Sequence, residues 1–198
     1  MKRVWISGYR AYELGVFQED DPKQLVIQTV LSQLIQDRLN QSNEETWVIS
    51  GPQMGTERWG LKSAIALKDD YEQLRVSMLL PFADFGQNWN EDNQLRLSAI
   101  REQMDYQGTV SNQPYQGPQQ LRNYQRFMFE HSDELILVFD PEQELNPDQH
   151  SKPFWDYRAA QKYQETQPTY QITLVTMDQL QDAAEEWAQR QVEEHDEF

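Results

Sequence analysis

The residues best suited to chemistry stand together behind one turn. Gly51 and Gly55 bracket the stretch Gly51-Pro52-Gln53-Met54-Gly55, which follows the apolar run Thr46–Ser50 and precedes Thr56, Glu57, Arg58 and Trp59. Glycines at a strand-to-helix junction let backbone N–H groups approach a ligand with no Cβ in the way. A helix opening at Thr56 leaves its first N–H groups unpaired and carries partial positive charge there, which suits a phosphate or carboxylate. The same residues also serve plain chain reversal, with Thr56 as a helix cap. The pattern is neither G-x-G-x-x-G nor G-x-x-x-x-G-K-[ST], so alone it specifies no known phosphate loop. Glu57 sharpens the reading. The helix dipole accounts for an acid in a first turn, but in a ligand site a carboxylate repels phosphate and its natural partner is a sugar hydroxyl. Amides for phosphate and an acid for ribose together suggest a nucleotide or nucleoside phosphate. Trp59 is expected as core or wall packing, with base stacking the alternative.

Other chemistries are poorly served. The chain has no cysteine, which removes disulfides, thiolate nucleophiles and cysteine–zinc sites. Its three histidines, His131, His150 and His195, lack metal-ligand spacing. Ser7 and Ser50 end strands without a G-x-S-x-G context or a histidine partner, so neither is expected to be a nucleophile. The 198 residues carry a formal charge of −16, a field that repels phosphate polymers and anionic membranes. Local amides and one or two arginines can still hold a small anion. No signal-peptide pattern opens the chain and no apolar run reaches spanning length, so a cytoplasmic protein is expected.

The elements that must position these residues alternate. Strands are expected at Arg3–Ser7, Thr46–Ser50, Leu74–Phe82, Thr109–Ser111, Glu134–Asp140 and Tyr170–Thr176. Helices are expected at Pro22–Gln41, Thr56–Tyr71, Glu91–Met104, Pro118–His131, Pro153–Gln167 and Met177–Val192. In the first helix Ile27, Val30, Leu31, Leu34 and Ile35 fall on one face, and Pro22 suits its first turn. Alternation with apolar, partly β-branched strands implies an α/β fold, one Rossmann-like domain over residues 1–192 with a mostly parallel sheet covered on both faces. The acidic tail 193–198 reads as solvated. In such folds ligands sit beyond the carboxyl ends of the strands, where strand order reverses. The residues following those ends are therefore candidates: Gly8, Tyr9 and Arg10 after the first, Gly51–Trp59 after the second, Pro81 and Phe82 at the third, and Asp140 at the fifth. Arg10 suits a phosphate by its fork geometry. Asp140 could meet a hydroxyl or a metal, although Asp-Pro also simply ends a strand. Trp89, in the polar connection 85–94, belongs to either a lid or a packed loop.

The stretches Ile6–Arg10 (ISGYR), Ser50–Gly60 (SGPQMGTERWG), Leu79–Phe82 (LLPF), Pro114–Gln120 (PYQGPQQ) and Phe127–Pro141 (FMFEHSDELILVFDP), in this order, resemble the YpsA family. That family lies within the SMF/DprA–LOG (SLOG) superfamily of Rossmann-like proteins. The resemblance runs from about Arg3 to Leu180. Its pattern G-x-x-x-G-x-[DE]-x-W falls on Gly51, Gly55, Glu57 and Trp59, and its G-Y-[KR] on Gly8, Tyr9 and Arg10. It implies a Rossmann-like sheet with a nucleotide-derived ligand over the Gly51–Glu57 turn. It does not choose a reaction, because the superfamily holds phosphoribohydrolases, a single-stranded-DNA-binding recombination mediator and molybdenum-cofactor carriers. Three departures weigh against the hydrolase branch. The acid follows Thr56 directly, Tyr124-Gln125 stands where relatives carry Arg-Asn, and the loop Pro141–Trp155 contains no glycine.

The expected function is binding of a nucleotide-derived small molecule in a regulatory or signalling role. The alternative is an enzyme cleaving an N-glycosidic or phosphoribosyl bond, with Glu57 and Arg10 stabilising an oxocarbenium-like ribose and its phosphate. The reading names no cofactor, expects no metal, no membrane and no nucleic acid as partners, and leaves homo-oligomerisation open.

Overall fold

The computed structural model describes residues 1–144 and 150–196. Six parallel strands form one sheet: β1 (Lys2–Gly8), β2 (Thr46–Ser50), β3 (Leu74–Leu80), β4 (Tyr106–Thr109), β5 (Glu134–Val138) and β6 (Gln171–Val175), ordered β4-β3-β2-β1-β5-β6. Six helices connect or follow them: α1 (Pro22–Gln41), α2 (Thr56–Ala66), α3 (Glu91–Arg101), α4 (Pro118–Glu130), α5 (Lys152–Thr166) and α6 (Met177–Asp196). This is the expected Rossmann-like α/β architecture. No helix among the described residues is long and apolar enough to cross a membrane.

The chain lays down β1 to β4 in one direction and then crosses back to place β5 on the other side of β1. Strand order therefore reverses between β1 and β5, and the crevice expected of such sheets opens there. Register fixes its depth. Ile6 lies level with Ser50 on one side and Ile136 on the other, and Gly8 lies level with Val138. The two faces of β1 can be read from successive residues. Trp5 meets the ring of Phe129 from α4 edge-on at 5.0 Å, whereas Ile6 lies against Gly60 of α2. Helices α4 and α5 thus cover the Trp5 face and α2 the Ile6 face, so β1 is buried from Val4 onward and β5 along its whole length.

Several boundaries differ from expectation for local reasons. Helix α2 stops at Ala66 rather than Tyr71, because Leu67 and Lys68 donate to Ala64 and Ile65 and tighten the chain out of the helix. Strand β4 lies at Tyr106–Thr109 rather than Thr109–Ser111. Asp105 sets that register: its N–H donates to the Val76 carbonyl while its Oδ2 accepts from the Val76 N–H. Helix α6 continues through the start of the acidic tail to Asp196, and residues 197–198 lie outside the described residues. Of the glycine-free loop after β5, residues 145–149 also lie outside them.

Candidate functional site

At the carboxyl end of the sheet a crevice of about 1330 Å³ is bordered by the turn after β2, the end of β3, and helices α4 and α5. Its floor is a buried ionic cluster. Glu57, 2% exposed in the first turn of α2, accepts from the Gln53 N–H at 3.0 Å through Oε2 and lies 3.0 Å from the Lys152 ammonium through Oε1. Lys152 opens α5, and its Nζ also donates to Ser7 Oγ at 2.7 Å and to Asp156 Oδ2 at 2.8 Å. Ser7 Oγ donates to the same Asp156 oxygen, and Gln125 Nε2 from α4 donates to the other at 2.8 Å. Four elements, β1, α2, α4 and α5, thereby meet at one point.

The charges explain one another. Burial alone would lower the Lys152 pKa, but Asp156 and Glu57 outweigh it and hold the ammonium above the usual lysine range. Lys152 is therefore a fixed cation and not an amine nucleophile. Tyr124 of α4 is buried beside this cluster, with its hydroxyl lacking a hydrogen-bond partner among the described residues. Burial and the nearby Glu57 and Asp156 charges push its pKa well above the ordinary tyrosine value, so it stays a neutral phenol. An unpaired buried hydroxyl is costly, and here it borders the crevice.

The residues expected from sequence separate into those at the crevice and those used by the fold. Glu57, Arg10 and Pro81 line it. Gly51 makes room for it: a Cβ there would collide with the Glu57 carboxylate and come within 2.5 Å of the Tyr124 hydroxyl. Gly55 has a different duty. Its φ is +117°, it forms a bridge with Arg10, and a Cβ would stand 2.5 Å from the Ala11 nitrogen and 2.7 Å from the Tyr9 carbonyl oxygen. The Thr56 N–H and hydroxyl both donate to that Tyr9 carbonyl, at 3.1 and 2.9 Å. Thr56 thus spends both its N–H and its hydroxyl docking the β1 exit, which takes these two donors out of the expected phosphate cradle. Gly8 packs equally closely against Thr56 and Val138.

Tyr9 and Trp59 are buried in the core, and Tyr9 accepts from the Asp140 N–H through its hydroxyl. Asp140 is 5% exposed and caps two segments, accepting from Glu142 N–H and from Met177 N–H at the start of α6. These bonds give Asp140 a capping role beside the expected contact with a hydroxyl or metal. Phe82 stacks obliquely with Phe85 and Tyr115. Trp89 packs under the Arg58 guanidinium, 4.8 Å from its ring centre, which makes the connection 85–94 a packed loop.

Arg10 is held by Glu13. Its Nη2 pairs with Glu13 Oε1 at 3.0 Å, its backbone N–H donates to Glu13 Oε2, and the Lys152 N–H donates to Glu13 Oε1 at 3.1 Å. Burial opposes charge on Glu13, but the Arg10 hydrogen bonds prevail and lower its pKa. Sequence reasoning missed Lys152, Asp156 and Ser7 as members of the site. The available signal was the i, i+4 spacing of Lys152 and Asp156 in an opening helical turn. Tyr124 and Gln125 prove to face the same cluster.

Comparison with known proteins agrees with this architecture. The sequence matches the YpsA family, described as the YspA SLOG family, over residues 4–180. It is 51% identical over 198 residues to a UPF0398 protein of Limosilactobacillus reuteri (strain DSM 20016), covering all of both chains. A UPF0398 protein of Levilactobacillus brevis is 46% identical over 187 residues, 94% of each chain. Among solved structures, DNA processing protein A (DprA) from Streptococcus pneumoniae superposes with a TM-score of 0.53 at 12% identity. That match covers 96% of this chain and 56% of the DprA chain, and it speaks to the fold alone. With the family match extending from β1 into α6 and full-length relatives at this identity, the chain belongs to the YpsA family of SLOG proteins.

Proposed function

We propose that the crevice binds a nucleotide-derived small molecule and that the protein acts in a regulatory or signalling role. The observation that carries this reading is the buried Glu57 carboxylate on the crevice floor with Arg10 on the same wall. A carboxylate there is an acceptor for ribose hydroxyls, and Arg10 with Arg122 and Arg158 offers cations to a phosphate. Pro81, Phe85 and the exposed ring of Trp155 supply apolar surface for a base. The crevice lining is therefore mixed, with aromatic and proline surface beside many polar and charged side chains.

Catalysis is less well supported. Both Glu57 oxygens already face donors, Gln53 and Lys152, an arrangement suited to holding a hydroxyl rather than to shuttling a proton. Ser7 donates to Asp156, but that carboxylate is already engaged by the Lys152 ammonium and by Gln125, which leaves it poorly suited to activate the hydroxyl.

A thermal-shift screen of nucleosides and their mono- and diphosphates tests the proposal. A ligand present at about 100 times its Kd stabilises by about 2.7 kcal/mol and raises Tm accordingly. Glu57→Gln should weaken nucleosides and nucleotides alike, and Arg10→Met should weaken only the phosphorylated forms. No Tm increase with any nucleotide would overturn the reading. Release of free base at a catalytic rate, lost in Glu57→Gln, would replace it with the glycosidic-bond-cleaving alternative.

A further inference from the structure

The Gly51–Gly55 turn also borders a second cavity, of about 440 Å³, whose other walls come from the Arg10–Glu19 segment, α2 and α3. It shares only Arg10 and Gln53 with the crevice. In a chain of net charge −16 its lining is cationic: Arg58 and Lys62 from α2 and Arg96 from α3 face one another across it, with Glu19 the acid among the lining residues. Glu19 bridges two of them, 3.2 Å from Lys62 and 3.3 Å from Arg96, and Arg96 is also paired with Asp92 at 2.8 Å.

Arg58 is the informative member. It is 6% exposed, donates through Nε to the Pro52 carbonyl and sits over the Trp89 ring at 4.8 Å. Its Nη2 is buried with no hydrogen-bond partner among the described residues. Guanidinium groups are rarely buried without an acceptor. Burial, and then the repulsion of Arg96, lower its pKa to about 10, while Glu57 and Glu19 pull the other way. Arg58 thus lines the cavity with one guanidinium nitrogen lacking an acceptor among the described residues. The half-exposed Glu19 is held by long, exposed side chains and can be displaced. Val16 and Trp89 give the remaining wall an apolar character.

We propose that this cavity is a second ligand site, which takes a small phosphate-bearing anion. Its phosphate displaces Glu19 and bridges Arg58, Lys62 and Arg96. Two guanidinium forks and an ammonium around one cavity match the several acceptor oxygens of a phosphate group. Glu19 and Arg96 do not line the crevice, so their variants leave its walls intact, whereas Arg58 also holds Pro52 of the crevice wall.

Titration calorimetry with inorganic pyrophosphate at low ionic strength tests it on the full chain. Arg96→Gln should weaken binding about tenfold, the loss of a charge-assisted contact. Glu19→Gln removes the competing carboxylate and should tighten it about fivefold. Both positions are half-exposed, so folding is preserved, and Arg58→Gln is read only if its unfolding transition matches wild type. Arg122→Gln, at an exposed position on the crevice, should leave pyrophosphate binding to this cavity unchanged. Failure of wild type and Glu19→Gln to bind, or equal affinity in wild type, Arg96→Gln and Glu19→Gln, would overturn the proposal. Succinate binding as tight as pyrophosphate would overturn its assignment to phosphate.

Discussion

Replacing Lys152 by Met gives the most direct measure of the cluster on the crevice floor. The change keeps side-chain length but removes the ammonium that contacts Ser7, Asp156 and Glu57 at 2.7, 2.8 and 3.0 Å. Two carboxylates, 5% and 2% exposed, are then left to share a site without a cation. Breaking a buried pair in this way costs about 3–5 kcal/mol. The loss should depend on pH. Without Lys152, burial and mutual repulsion raise the folded pKa of one carboxylate above its unfolded value of about 4. The deficit is then complete at pH 8 and is relieved as pH falls towards 5, because the folded state binds the extra proton. Urea unfolding of wild type and variant at pH 8 and pH 5 reads both numbers. Adding Asp156→Asn to the variant should restore much of the stability at pH 8. A loss under about 1 kcal/mol, or one that is the same at both pH values, would show that the ammonium does not neutralise these acids.

Three further outcomes follow from the same geometry. Tyr124→Phe should leave stability unchanged or raise it by up to about 1 kcal/mol, since it deletes a buried hydroxyl without a partner, yet it should weaken any crevice ligand; urea unfolding and ligand titration separate the two. Gly55→Ala should lose about 2 kcal/mol or more, because a φ of +117° and the backbone of Tyr9 and Ala11 both oppose a Cβ, and a melting curve will show it without ligand. Glu134 is buried between Arg38 and Lys2, whose hydrogen bonds and charges overcome burial and lower its pKa. Its contribution is present above about pH 4.3 and is lost as pH falls through the depressed folded value. Glu134→Gln should therefore destabilise by about 3 kcal/mol at pH 7 and by much less in acid.

The sequence revealed the parts of this structure that are set locally. Apolar strands, proline-opened helices and the turn after β2 all declare themselves within a few residues, and Glu57 was visible because it follows that turn at once. What stayed hidden depends on long-range pairing. Ser7 lacks a histidine partner, as its context suggested, but its partners lie 145 and 149 residues away in α5. Lys152 and Asp156 follow a long loop, which conceals that α5 opens against the end of β1. Asp140 looked like a ligand group because it ends a strand, whereas one of its oxygens caps the start of α6 and the other accepts from Glu142. The Gly55–Thr56 junction looked like an anion cradle because nothing local shows that Tyr9 folds back to accept its donors.

The position of Glu13 has a consequence for how occupancy of the crevice would be felt. One carboxylate grips the Arg10 guanidinium, the Arg10 backbone and the first backbone amide of α5. A phosphate that draws the guanidinium away leaves the acid free to swing, and the Lys152 amide loses its acceptor with it. Protection of that single amide against deuterium would then fall when ligand binds, opposite to the slowing normally seen around a filled site. The amide is a built-in reporter with inverted sign, readable before the ligand's identity is known.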